Sequence, residues 1–430
     1  MPHLIDSIKN LVLSKKFREQ SRVNPTDFSR DRKLPLPTLI HFLLNLNNGS
    51  YQTELDLFFK TLNHLQVAER IVGKGSFSKA RKKLKYQAFI ELMDTITDGY
   101  YKHFDHRTWQ GFNLLAIDGT TIRVPDEPEI IDHFGVWNVT KGKPCPKARG
   151  SQLFDVLNRI TIDAAIGPKA VGEREMAASH MLKLTSTDLL LLDRGYPAFW
   201  LFKLVTSLDA NFCARVSCTK WKVIRQFFHS NEKERIVKLS PPYSSVAQCA
   251  EMGLDKRPIK VRLVRVELEN GETEILITSL LDRQRHPIEV FADLYFSRWP
   301  VEEDFKTIKC RLEVENFSGK SVLSVYQDFH AKLFSKNLTA VIASTIRTQI
   351  EEKSKRCHFD HKINFVQALA KMKNTIALLF TQPLLIVEHL VAKLKAIFVI
   401  STESIRPGRQ YERNHKVKVK KYHAAYKPVC

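Results

Sequence analysis

Two short apolar runs, Leu114-Leu115-Ala116-Ile117 and Leu189-Leu190-Leu191-Leu192, each stop at an aspartate, Asp118 and Asp193. A third run, Ile160-Thr161-Ile162, is separated from the second by helix-like text from Glu173 to Lys183. Short apolar runs broken by helices constrain the chain to an α/β class with a partly parallel sheet. In such sheets, ligands and catalytic groups gather at the carboxyl ends of strands. The two aspartates occupy those positions, although an Asp-Gly or Asp-x-Gly after a strand is also ordinary turn chemistry.

The rest of the chain divides around this region. With 430 residues, two or three domains are expected. Residues 1–105 read as a helical N-terminal domain, with apolar positions three and four apart at Leu39, Phe42, Leu43 and Leu46. Within it, the turn Gly73-Lys74-Gly75-Ser76 leads into Phe77–Lys85, which carries five basic residues. Either a DNA-reading helix or a solvated basic face fits that text. Residues 106–330 form the expected catalytic core, with a β-rich insertion at about 211–285. There Lys260–Leu268 and Glu274–Thr278 alternate and are joined by Asn270-Gly271, a hairpin signal. Residues 331–430 read as a helical region ending in a basic tail from Arg406, with eight Lys or Arg against one Glu.

Lys plus Arg exceed Asp plus Glu by 67 − 46 = 21, which points to a polyanionic partner, nucleic acid before an anionic membrane. The greasiest stretch, Pro383–Ile400, is interrupted by Glu388, His389, Lys393 and Lys395, so no membrane span is expected. The N-terminus lacks the layout of a secretory signal, and seven scattered cysteines without a Cys-x-x-Cys pair read as reduced cytosolic thiols. Cys357, His358 and His361 lack a second ligand pair, which argues against a zinc site.

The segment Tyr295-x-x-Arg298-x-x-x-Glu302, continued by Lys306 and Lys309, adds a third acid. On a helix, Glu302, Lys306 and Lys309 share one face. Pro300 either opens that helix or kinks it, so Tyr295 and Arg298 can precede its regular part. The plain alternative is a salt-bridged amphipathic helix with Trp299 and Phe305 in the core, whose acids Glu302, Glu303 and Asp304 complement the helix dipole.

An Asp-Gly-Thr strand end at Asp118, an Asp-Arg-Gly-Tyr strand end at Asp193, a β-rich insertion and the Tyr295/Arg298/Glu302/Lys309 signature follow one another in order. Over nearly its whole length the chain resembles the DDE transposases of bacterial insertion sequences, insertion-sequence family four. The resemblance implies a ribonuclease-H-like core in which Asp118, Asp193 and Glu302 form a catalytic and metal-binding triad for Mg²⁺, or Mn²⁺ in its place, with two ions expected. It implies that Tyr295, Arg298 and Lys309 contact DNA phosphates, with Lys306 a weaker member of the set. It further implies metal-dependent cleavage at the element's ends and strand transfer into target DNA, by way of a hairpin if the family's route applies. The expected partners are double-stranded DNA, both terminal inverted repeats and target, and a second copy of the chain on paired ends. The expected location is the bacterial cytoplasm, at the nucleoid when DNA-bound. Trp221 is a positional candidate for stacking on a flipped base, against a plain core role. Asp126, Asp163 and Asp188 match none of the motifs and read as structural. An inactive DNA-binding descendant and a ribonuclease-H-like nuclease are the competing readings.

Overall fold

The computed structural model describes residues 1–30, 32–137, 145–219, 221–268 and 271–406. The basic tail beyond Arg406 and Asn270 of the hairpin signal lie outside the described residues. Two compact units are present, one formed by 106–121 and 149–306, the other by 1–105, 122–148 and 307–406 of the described chain.

One mixed sheet dominates the first unit, although its two-residue second strand consists of residues of the other unit. Its strands are β1 (Asn113–Arg123), β2 (Val136–Trp137), β3 (Cys145–Asp155), β4 (Ile160–Gly167), β5 (Asp188–Leu192), β6 (Asn211–Val216), β7 (Glu234–Leu239), β8 (Ile259–Glu267) and β9 (Thr273–Thr278). The order runs β2-β3-β1-β5-β6-β9-β8-β7, with β4 also paired to β3. β1, β5 and β6 run parallel, while β3–β4 and β7–β9 pair antiparallel. β3 opposes β1, since the Val156 amide donates to Leu114 O at 3.0 Å and the Val124 amide to Pro146 O at 3.2 Å. Residues 211–216 thus belong to the parallel run, and β7–β9 continue the same sheet. β8 and β9 form the expected hairpin, with Glu267 opposite Thr273 and Gly271 at φ +81°, a conformation that favours glycine.

The apolar runs are covered on both faces because successive side chains point to opposite sides of a strand. Leu115, Ile117, Leu190 and Leu192 pack with Ala177, Met181, Phe199 and Phe202, from helices Glu173–Met181 and Phe199–Ser207. Leu114, Ala116, Leu189 and Leu191 face the other way, onto Phe291, Leu294 and Val301. Three layers result, with helices Val290–Phe296 and Pro300–Cys310 on the second face. This α/β arrangement, a mixed sheet with a parallel centre extended by further strands and flanked by helices, agrees with the α/β class expected from the sequence.

The helical unit is organised around Val322–Ser344, a helix buried along most of its length although its middle carries Gln327, Asp328, Lys332, Ser335 and Asn337. Buried polar groups require partners. Arg81 supplies several: its guanidinium donates to Asp328 Oδ1 at 2.6 Å, Ser324 O at 2.9 Å, Tyr51 Oη at 2.6 Å, Ser318 Oγ at 2.8 Å and Gln327 Oε1 at 2.5 Å. Arg81 is therefore a buried strut and not a DNA-facing residue. Phe77 is buried as well, whereas Lys74, Lys79, Lys82 and Lys85 of the same basic segment are exposed. Among the described residues, no helix is long and apolar enough to cross a membrane.

Removing one partner of a buried ion pair leaves the other charge uncompensated, at a cost of about 3–5 kcal/mol. Asp328→Ala is expected to lower unfolding stability by that amount, measured by urea denaturation. A loss below about 1 kcal/mol would show that Arg81 is solvated elsewhere.

Candidate active site

β5 ends at Leu192, paired with Ile117 of β1 in parallel register. Asp193 follows the end of β5, but Asp118 lies inside β1, which runs on to Arg123, so the strand end expected at Asp118 is corrected: this aspartate stands where the parallel pairing with β5 stops, with adjacent strands about 4.8 Å apart. Burial pushes the Asp118 carboxyl up to about 6. The nearby Glu302 and Asp193 carboxylates add to the rise, against the lowering effect of the Gly119 amide and Arg298. Asp193 goes the other way. Burial alone would raise it, but the Arg194 amide, Arg298, Arg215 and the Tyr295 hydroxyl hold it below the usual carboxylate range.

Glu302 reaches the site on the helix Pro300–Cys310, whose first turn holds Pro300 without kinking. Tyr295 lies in the preceding helix, and Arg298 lies in the link between the two. The three acids that follow Pro300 each have a separate partner. Arg298 Nη2 donates to Glu302 Oε1 at 2.7 Å, Arg159 pairs with Glu303 at 3.4 Å on the surface, and buried Asp304 accepts from Gln152 Nε2 at 3.2 Å. Gln152 in turn accepts from Thr161 Oγ1 at 3.2 Å, so Asp304 ties the helix to β3 and β4. A simple dipole role for the acids does not describe this division of labour.

Tyr295 Oη donates to Asp193 Oδ1 at 3.2 Å, and burial pushes the phenol well above its ordinary range. Arg298 lies 5.8 Å and Arg215 6.0 Å from the centre of the Tyr295 ring, within cation–π reach. Arg215 also binds Asp193 Oδ1 at 3.0 Å and pairs with Glu274 of β9. Sequence reasoning overlooked Arg215. Its only signal there is a charge inside the apolar run Phe212–Val216, whose meaning depends on β6 lying beside β5.

The structure thus brings together Asp118, Asp193, Glu302, Tyr295 and Arg298. Lys306 is exposed one turn beyond Glu302, and half-buried Lys309 occupies the last turn of the same helix. Trp299 is 41 % exposed, contrary to a core role, while Phe305 is buried. Trp221 is half-buried against the core, 6.3 Å from the Phe202 ring. Asp163 pairs with His180 at 2.8 Å and Lys183 at 3.3 Å, and Asp188 accepts from the Thr185 amide at 2.7 Å. Both serve local structure. Among the described residues, no three His, Cys, Asp or Glu side chains stand close enough to hold one metal ion. The carboxylate donors do suit a hard divalent cation, which takes oxygen ligands. In this arrangement, however, Glu302 is turned to Arg298 and Asp193 to Arg215 and Tyr295.

Because the folded Asp118 holds its proton more tightly than the unfolded chain does, its contribution to stability is full below the unfolded value near 4 and is lost as pH rises through about 6. Asp118→Asn, which stays neutral, is expected to be more stable than the parent at pH 7–8 by about 1–3 kcal/mol. The gap should close towards pH 4 in denaturation curves, and a pH-independent gap would contradict the raised value.

A family model described as Transposase DDE domain matches residues 109–338, more than half of the chain. Transposase InsG of insertion sequence element IS4 from Escherichia coli K12 is 23% identical over 317 residues, covering 72% of this chain and 70% of that protein. InsZ from the same organism, also named as a transposase, is 28% identical over 154 residues, covering 35% of this chain and 50% of its own. In Sinorhizobium fredii, the transposase-named y4zB is 25% identical over 206 residues, covering 46% of this chain and half of its own length. A piggyBac transposase synaptic complex with hairpin DNA overlaps 96% of this chain and 88% of its own at 8% identity and a TM-score of 0.45, a likeness too weak to bear on the site. With the family model spanning Asp118, Asp193 and the Glu302 helix, the chain belongs to the DDE transposases of insertion-sequence family four, enzymes that cut and join DNA.

Proposed function

We propose that Asp118, Asp193 and Glu302 are the catalytic carboxylates and that they hold divalent metal, Mg²⁺ or Mn²⁺, as two ions, to cleave insertion-sequence ends and join them to target DNA. The supporting observation is the convergence of two aspartates, one on β1 and one just after the adjacent parallel strand β5, with a glutamate held by Arg298. When bound, such ions supply Lewis-acid activation of water and charge stabilisation of the leaving oxygen. The chain's own residues do the positioning. Arg298 and Arg215 offset the mutual repulsion of the acids, and Tyr295 orients Asp193 by donating to it. For Glu302 to become a metal ligand, Arg298 turns to the DNA, where its planar fork suits a phosphate. Tyr295, Lys306 and Lys309 complete the proposed phosphate contacts, with the two lysines acting as point charges.

In the first step, water oxygen bonds to the scissile phosphorus and the P–O3′ bond breaks, freeing a 3′ hydroxyl. That hydroxyl oxygen then attacks a second phosphorus and displaces another 3′ oxygen, so the number of phosphodiester bonds is conserved. The second phosphorus lies in target DNA, or first in the opposite strand if a hairpin forms. Two copies of the chain acting on paired ends, in the cytoplasm, complete the reading. The exposed lysines at 74, 79, 82 and 85 are its candidate backbone contacts in residues 1–105, the proposed DNA-binding region.

The deciding experiment uses a labelled duplex carrying the element's own terminal repeat. Metal-dependent cutting at the repeat boundary is expected from the parent chain. It should fall by on the order of a hundredfold or more in Glu302→Gln while binding persists. Equal cutting by both would remove Glu302 from the triad, and binding without cutting by either would leave an inactive DNA-binding descendant. Hydrolysis without joining, when target DNA is supplied, would mean a nuclease.

A further inference from the structure

Tyr196 has no part in the proposed catalytic set, yet it touches both the turn that follows β5 and the stretch of β1 beside Asp118. Its amide donates to Asp193 O at 3.0 Å, closing the turn that starts at that aspartate. Arg174 grips the intervening Gly195 carbonyl at 2.8 and 3.2 Å, so the turn is held from two sides. The Tyr196 ring is packed into the core and the residue is only 5 % exposed. Its hydroxyl reaches β1, where a Cβ added to Gly119, the residue after Asp118, would lie 3.3 Å from Tyr196 Oη and 3.6 Å from Gly150 O. The backbone of Gly119 is not in the left-handed region, so space rather than conformational freedom explains the glycine there. Asp118, Glu173 and Asp193 all act electrostatically on the phenol. A phenol O–H at the edge of the core, facing acidic groups, is a donor placed for use.

We infer that Tyr196 is a positioning residue for the two aspartates: its ring spaces β1 at Gly119 from the turn after β5, and its hydroxyl is a donor offered to the carboxylate pair. This rests on the proposal that the pair binds metal. Partners that orient metal-binding carboxylates change metal affinity by about 10–100-fold when removed. The spacing role also assigns Gly119, whose missing side chain makes room for the phenol.

The test measures Mn²⁺ binding to the full-length protein without DNA, by calorimetry, alongside the Mn²⁺ dependence of end cleavage. Tyr196→Phe is expected to weaken Mn²⁺ binding about tenfold, with cleavage regained at saturating Mn²⁺ and with the thermal midpoint and DNA-end affinity unchanged. Gly119→Ala, which presses a methyl group towards the hydroxyl, should weaken binding too. Because the two share one contact, the double variant should be no worse than Tyr196→Phe alone. Parental Mn²⁺ affinity in Tyr196→Phe, or strictly additive losses in the double variant, would overturn the inference. If Tyr196→Phe is destabilised, the affinity of Gly119→Ala decides, and a parental value there also overturns it. Should the parent chain bind no Mn²⁺, or bind it as well after Asp193→Asn, the metal-binding reading itself would be what failed.

Discussion

The parallel pairing of β1 with β5 carries the rest of the site. Once Ile117 is level with Leu192, the two following aspartates stand side by side, Asp118 still within β1 and Asp193 just past β5, and no other segment needs to move to bring them together. The register is set by burial, because a shift of one residue would exchange the side chains on the two faces. A hydrophobic requirement thereby places two like charges where charge is costly.

That cost explains the basic residues around the pair. Burial and carboxylate neighbours raise Asp118, while Arg298 and Arg215 help to hold Asp193 low. Two adjacent acids with opposite shifts mark a place where environment has been divided between them, a common property of functional sites. Arg298 has the larger share of work, since it acts on both aspartates and binds Glu302 directly. The same arrangement keeps the three acids from surrounding a single point. On the proposed reading, the metal-ligand set is a second state of the same side chains, reached by rotation of Arg298 and Glu302 from the arginine-neutralised one.

The helix that brings Glu302 is anchored independently of catalysis. Asp304 is bound to Gln152 inside the unit, and Val301 packs beneath the sheet. Glu302 is thereby free to exchange partners while its backbone stays in place. Adjacent residues of one helical turn have separate duties because they point to different sides, Asp304 and Val301 inward and Glu303 to solvent.

The sequence alone determined the class of sheet, the strand end at Asp193 and the Tyr295–Lys309 signature, because apolar run length, turn residues and fixed spacing are local properties; that β1 runs on past Asp118 to Arg123 was not legible in it. Tertiary structure decided what spacing cannot express. Arg81 sits in a basic segment that reads as a surface, yet it is buried against Asp328, 247 residues away. Trp299 reads as core but is exposed, because the link holding Arg298 at the site leaves its neighbour outside. Arg215 gains its role only when β6 lies beside β5, and Tyr196 only when its turn closes towards Gly119. Each depends on a long-range contact, and the chemistry of a side chain is set by what folding brings against it, which no local pattern records.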